Sequence, residues 1–125
     1  MVEHDITERI IGCAINLHRL LGPGILESVY ESALAYDLRQ AGLAVRTQVP
    51  MPLVYREIKH DVGYRIDLLV EEKVIVEIKS IETLAPVHFS QTLTYMKLGT
   101  KKVGLLINFN THLLKDGLHR LVNNF

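Results

Sequence analysis

The chain has a single cysteine, no excess of either charge and no apolar run that approaches membrane-spanning length. One cysteine closes no intrachain disulfide and builds no thiolate cage for a metal. Cys13 also falls inside an amphipathic helical pattern, where a thiol is ordinarily inert packing. A reducing, cytoplasmic setting is the expectation. The first segment supports it, because Glu3, His4, Asp5 and Glu8 make neither a basic leader nor an apolar signal core. Lys plus Arg number 14 and Asp plus Glu also 14, so no global field draws the protein to polyanions. A local basic rim is still open, with Arg56, Lys59, Arg65, Lys79, Lys97, Lys101 and Lys102 as its candidates.

Two other absences narrow the chemistry. The six histidines include no pair at the four-residue spacing of a helical zinc site. Gly22-Pro23-Gly24 has neither the phosphate-binding lysine of a P-loop nor the dinucleotide glycine pattern.

What is present is ordinary globular material: 125 residues, 48% hydrophobic and 22% charged, enough for one domain over residues 1–125 with its own core. Ile6, Ile10, Ala14, Leu17 and Leu21 recur at helical spacing from Asp5 to Leu21, with Asp5 or Thr7 as the cap. After the Gly22-Pro23-Gly24 break, a second helix carries Leu26, Val29, Tyr30, Ala33, Leu34, Leu38 and Ala41, and Gly42 ends it. Val45 to Tyr55 is extended but punctuated by Pro50 and Pro52. Tyr64 to Val70 and Val74 to Ser80 alternate with period two and predict a hairpin across Glu71-Glu72-Lys73. His88 to Leu98 returns to helical spacing, Lys102 to Phe109 reads as a buried strand, and Leu113 to Leu121 as a short terminal helix. This order predicts an α/β sandwich with a mixed central sheet.

The hairpin carries the chemistry. Alternation puts Ile66, Leu68 and Val70 with Val74, Val76 and Ile78 on a core face, and Arg65, Asp67 and Leu69 with Ile75, Glu77 and Lys79 on the other. With a three-residue turn, Val70 pairs with Val74, Leu68 with Val76 and Ile66 with Ile78, and Asp67 falls opposite Glu77. Two like charges with β-carbons about 5 Å apart destabilise a sheet unless something neutralises them. A divalent cation does so, and carboxylates suit hard ions such as Mg2+ or Mn2+. Lys79 adds an ammonium on the same face. An acidified water beside a lysine is the equipment of phosphodiester hydrolysis. The bland alternative is a solvated salt-bridge lattice, since an E-x-K triplet by itself carries little information.

At these residues the chain resembles the PD-(D/E)XK nuclease superfamily, with Asp67 and Glu77-Ile78-Lys79 standing at the motif positions. The motif proline is absent, because Ile66 precedes Asp67. More narrowly, Gly24-Ile25-Leu26-Glu27-Ser28-Val29-Tyr30, continued by Glu31-Ser32-Ala33-Leu34, is similar to the signature of the GxxExxY family of that superfamily. Gln91-Thr92-Leu93-Thr94-Tyr95 is similar to the Q-x-x-x-Y element of its recombination-type nucleases. The resemblance implies a restriction-endonuclease-like αβββαβ core with an extra N-terminal helix and magnesium-dependent chemistry. It also implies a metal set of Asp67, Glu77 and Glu27, catalytic with Lys79. Glutamate at Glu27 has a plainer use as well, since negative charge in a first helical turn is favoured by about 0.3–1 kcal/mol. Tyr30 reads as packed core with its hydroxyl on a polar neighbour. Gln91, Tyr95 and His88 share a helix face and are the candidate substrate contacts.

Two functions follow as expectations. The first is a nuclease on DNA before RNA. The second is a nuclease-fold module that binds nucleic acid or a protein partner without turnover. A cleft this small leaves room for a homodimer to hold a duplex.

Overall fold

The computed structural model of the chain describes residues 1–60 and 64–123. Helices α1 (Glu3–Leu21) and α2 (Glu27–Gln40) come first, followed by β1 (Val45–Pro50), β2 (Leu53–Tyr55), β3 (Ile58–His60), β4 (Arg65–Val70) and β5 (Val74–Lys79). Helix α3 (Pro86–Leu98), β6 (Val103–Asn108), a 3-10 turn (Leu114–Gly117) and β7 (Leu118–Val122) complete the chain. The main sheet has the order β1-β4-β5-β6-β7. Its β5–β6 pair is parallel, joined by α3, and its other pairs are antiparallel. This is the expected mixed sheet between helical layers. No helix among the described residues is long and apolar enough to cross a membrane.

Both faces of the central strands are buried. Ile6, Ile10, Ala14 and Leu17 of α1 and Tyr30, Leu34 and Leu38 of α2 pack on Leu68, Val70, Val76, Leu105 and Ile107. Tyr95 and Met96 of α3 cover Leu69 and Ile75 on the opposite side, together with Val49 and Ile66. The face expected to be polar is therefore largely a second core, and its polar character is confined to one end of the strands. Gly104 lets α3 approach, since a β-carbon there would stand 2.8 Å from the Met96 sulfur.

Local expectations meet different outcomes. Helix α1 starts at Glu3 with Val2 at its N-cap and no side-chain cap. Thr7 bonds the His4 carbonyl instead, and Asp5 lies inside the first turn. The stretch Val45 to Tyr55 is two strands in different sheets. Pro52 has no N–H to continue a ladder, the Met51 N–H goes to the Tyr64 carbonyl at 2.7 Å, and β2 turns away to pair with β3. The tail is no α-helix. Its leucines mimic a helical stripe, but β6, buried throughout, offers an open edge, and β7 pairs with it antiparallel. Filling that edge satisfies backbone groups that burial would otherwise orphan.

Candidate active site

The Gly24-x-x-Glu27-x-x-Tyr30 segment is built around the tyrosine. Tyr30 is fully buried and stacks on Phe109, with ring centroids 4.5 Å apart. Its hydroxyl donates to the Gly22 carbonyl and accepts from the Ile25 N–H at 3.2 Å. Gly22 and Gly24 supply the left-handed backbone of the turn thus tied down, at φ 71° and 88°. The tie sets where α2 begins, and so where Glu27 stands. A carboxylate oxygen of Glu27 accepts the Ser80 N–H at 3.2 Å, one residue beyond Lys79, while the Ser80 hydroxyl donates to the Ile25 carbonyl at 2.6 Å. Glu27 and Ser80 line a cleft of about 500 Å³ with Gly24, Ile25 and Asn110.

The hairpin register is the expected one near its turn: Val70 pairs with Val74 and Leu68 with Val76. It does not run on to Ile66 and Ile78 as a backbone ladder. The Ile78 N–H donates to Oδ2 of Asp67 at 2.8 Å, and the Asp67 N–H donates to Oε1 of Glu77 at 3.3 Å. Side-chain carboxylates thus take the place of ladder carbonyls and part the strands. On the other flank, β1 pairs with β4 on both sides of Gln48 but not at it, and Gln48 has φ 50°. Alternation breaks there too. Ile66 and Leu69 join the same apolar cluster, which strict period two forbids.

The carboxyls of Asp67 and Glu77 stand close enough to act on each other's titration. Burial pushes Glu77 up to about 9, and repulsion from Asp67 adds to it. The Asp67 N–H and the Lys79 ammonium pull the other way. Asp67 is likewise raised by burial, against the Ile78 N–H and Lys79. Burial, then the Glu77 charge, raises the Tyr95 phenol. Tyr95 accepts from the Gln91 amide at 3.0 Å, so those two residues meet each other and border the carboxylates.

Glu31 belongs to this cluster although in the sequence it only continues the Gly24 to Tyr30 signature and is not among the expected site residues. It is half-buried and raised by burial and then by the Asp67 charge. The Gln48 amide bridges it to Asp67, 2.7 Å from Glu31 and 3.4 Å from Asp67. The available signal is its spacing: four residues after Glu27, it shares that residue's helix face. His88 has a structural use. Its Nδ1 accepts the Ala85 N–H at 2.8 Å and caps α3. The expected basic rim divides. Lys101 bonds the Glu72 carbonyl at the turn end of the hairpin, whereas Arg65 and Lys79 stand at the carboxylate end.

Among the described residues, no three His, Cys, Asp or Glu side chains are grouped closely enough to cage a metal. The donor chemistry nevertheless fits a hard divalent ion. Mg2+ is commonly held by one or two carboxylates and completes its shell with water and phosphate oxygens.

The chain matches the PD-(D/E)XK nuclease superfamily over residues 4–121. It belongs to that superfamily. Its five-stranded mixed sheet flanked by helices is consistent with the restriction-endonuclease-like fold. No curated protein and no solved structure matches the chain.

Proposed function

We propose that this PD-(D/E)XK chain, one domain over residues 1–125, hydrolyses nucleic-acid phosphodiester bonds with Mg2+ or Mn2+, on DNA before RNA. Within the superfamily we assign it to the GxxExxY family, on the Gly24 to Tyr30 segment and the way Tyr30 seats Glu27. The reading is carried by one observation: the Asp67 and Glu77 carboxylates each accept a backbone N–H from the opposing strand, at the end of β5 that also bears Lys79.

Asp67 and Glu77 would hold the ion, with Glu27 and Glu31 of α2 contributing from one side. When bound, a divalent ion supplies Lewis acidity and acidifies water. Lys79 places an ammonium beside the carboxyls, where it neutralises charge that builds on a phosphate. Tyr95 and Gln91 border the site as a donor pair, and the Nε2 of His88, which carries the proton when Nδ1 accepts, offers a further contact. We place the protein in the cytoplasm, as a homodimer where a duplex must be held.

Cleavage of labelled single-stranded, duplex and branched DNA, with and without Mg2+ or Mn2+, tests this. Activity should require the ion and fall at least about 100-fold in Glu77→Gln and Lys79→Ala, the loss typical of removing an electrostatic catalytic group. Unchanged metal-dependent cleavage in either variant refutes the mechanism. A second reading is favoured by the absence of a three-ligand cage among the described residues: a nuclease-fold module that binds without turnover. It expects binding that survives chelator and no cleavage with any ion.

A further inference from the structure

Strands β2 and β3 form a two-stranded hairpin that joins neither edge of the main sheet. Its side chains are exposed, with Val54 at 58%, Tyr55 at 59% and Ile58 at 58%. A lone hairpin is marginally stable in water, so apolar and aromatic side chains presented on both strands of one add nothing to its own core.

The tip is specialised. Tyr55 pairs with Ile58, which leaves Arg56-Glu57 as a two-residue turn. Arg56 sits at φ 53°, in the conformation this position ordinarily gives to glycine. Its guanidinium lies over the Tyr55 ring, 5.5 Å from the centroid. A planar cation and an aromatic face are thereby held together at the outermost point of the arm, the pairing that serves phosphate contact and base stacking.

The base of the arm leads into the site. The Met51 N–H closes it on the Tyr64 carbonyl. The Tyr64 ring meets Tyr95 edge-on at 6.4 Å, and Tyr95 is bonded to Gln91. Arg65 follows, donates to the Gln48 carbonyl at 3.4 Å, and stands two residues before Asp67. The site itself is acidic: Asp67 and Glu77 lie near Lys79, Glu31 is bridged to Asp67 by Gln48, and Glu27 reaches the Ser80 N–H. It has too little positive charge to hold a polyanion, and the arm carries cations and stacking surface to the same end of the sheet.

We propose that the β2–β3 hairpin is the nucleic-acid-gripping arm of this protein, with Tyr55 stacking on a base and Arg56 pairing with a backbone phosphate, so that the strand is led past Arg65 toward the carboxylates. The inference rests on the nuclease reading for what is gripped, and its test is separate from cleavage. A single strand and a duplex share the phosphate that Arg56 would meet and differ in what they offer Tyr55. A single strand offers unstacked bases to Tyr55, and a duplex offers a major groove wide enough for a two-stranded ribbon.

Fluorescence anisotropy in chelator, with a labelled single strand and a duplex of the same sequence, measures binding by the full chain. Tyr55→Ala should weaken it about tenfold or more, the loss expected for one stacked base. Arg56→Gly keeps the turn, because glycine accepts that φ, and removes the cation. It should weaken binding severalfold and lower the slope of log Kd against log salt by about one. Thermal melts of both variants should match wild type. A loss confined to the single strand supports the arm as proposed, whereas an equal loss on duplex means groove contact in place of base stacking and overturns the role given to Tyr55.

Wild-type affinity in both variants overturns the proposal, as does wild-type protein that binds neither ligand. So does a loss of self-association, seen by sedimentation, with nucleic-acid binding intact. A chain that never cleaves but loses binding in these variants keeps the arm and sinks the hydrolase. One that cleaves, with variants that bind as wild type, does the reverse.

Discussion

Glu77→Gln is the most informative single change, because its effect without metal follows mainly from burial. Glu77 is 5% exposed and its carboxyl is pushed up to about 9, first by burial and then by Asp67. In the unfolded chain it titrates at the ordinary value of 4.5. The folded protein therefore keeps a proton that the unfolded chain releases. The stability this proton confers is fully present below about pH 4.5, declines as pH rises, and is lost once pH passes about 9. At about 1.4 kcal/mol per pH unit, the decline by pH 7 is on the order of 3 kcal/mol. That corresponds to roughly 10 °C in Tm for a domain of this size. Asp67 is raised in the same direction and steepens the trend. Glutamine removes the titration and keeps the shape. In chelator, melts from pH 5 to 9 should show wild type falling steadily and the variant falling much less, with the two nearly equal at pH 5. At pH 8, Mg2+ or Mn2+ should raise the wild-type Tm and leave the variant little changed, since only a ligand of the folded state stabilises it. A wild-type protein as stable at pH 8.5 as at pH 5 in chelator would refute the reasoning. So would a variant that falls in parallel with it.

Two further outcomes are expected. Tyr30→Phe keeps the stack on Phe109 and deletes the bonds to Gly22 and Ile25, so chemical denaturation should show a loss of about 1–3 kcal/mol, larger than a surface change gives. Glu31→Gln removes a half-exposed charge beside Asp67; in chelator at pH 8 it should stabilise by less than about 1 kcal/mol, and calorimetric titration with Mn2+ should show a severalfold weaker affinity, whereas unchanged affinity would place Glu31 outside the metal set.

The parts legible in the sequence are those in which one local rule decides. Ile6, Ile10, Ala14 and Leu17 point one way on any α-helix, and all are buried. The three residues between Val70 and Val74 set the hairpin register, and past the end of the ladder the Asp67 N–H meets the Glu77 carboxylate. The parts that were not legible depend on a partner elsewhere in the chain. Leu114, Leu118 and Leu121 suit either a helix or a strand, and only the open edge of β6 decides for β7. Leu69 and Ile75 interrupt a polar face by pattern, yet α3 makes them core. Glu31 looks like any surface glutamate until the Gln48 amide bridges it to Asp67.

The site exists because the sheet declines to pair there. A regular ladder would satisfy the N–H groups of Ile78 and Asp67 with carbonyls and leave both acids as free side chains. Here the two carboxylates accept those N–H groups themselves, which fixes their positions through the backbone rather than through rotamer preference. Gln48 frees the opposite flank by leaving the ladder at φ 50°, and its amide then joins Asp67 to Glu31. Asp67 is thus held from β5, from β1 and, through the Gln48 amide, from α2, and the first two holds are departures from regular strand geometry. Departures that cost pairing and bury charge persist where function needs them. That two of them converge on one aspartate separates this end of the hairpin from a solvated salt-bridge lattice, in which the same residues would keep their ladder and face water.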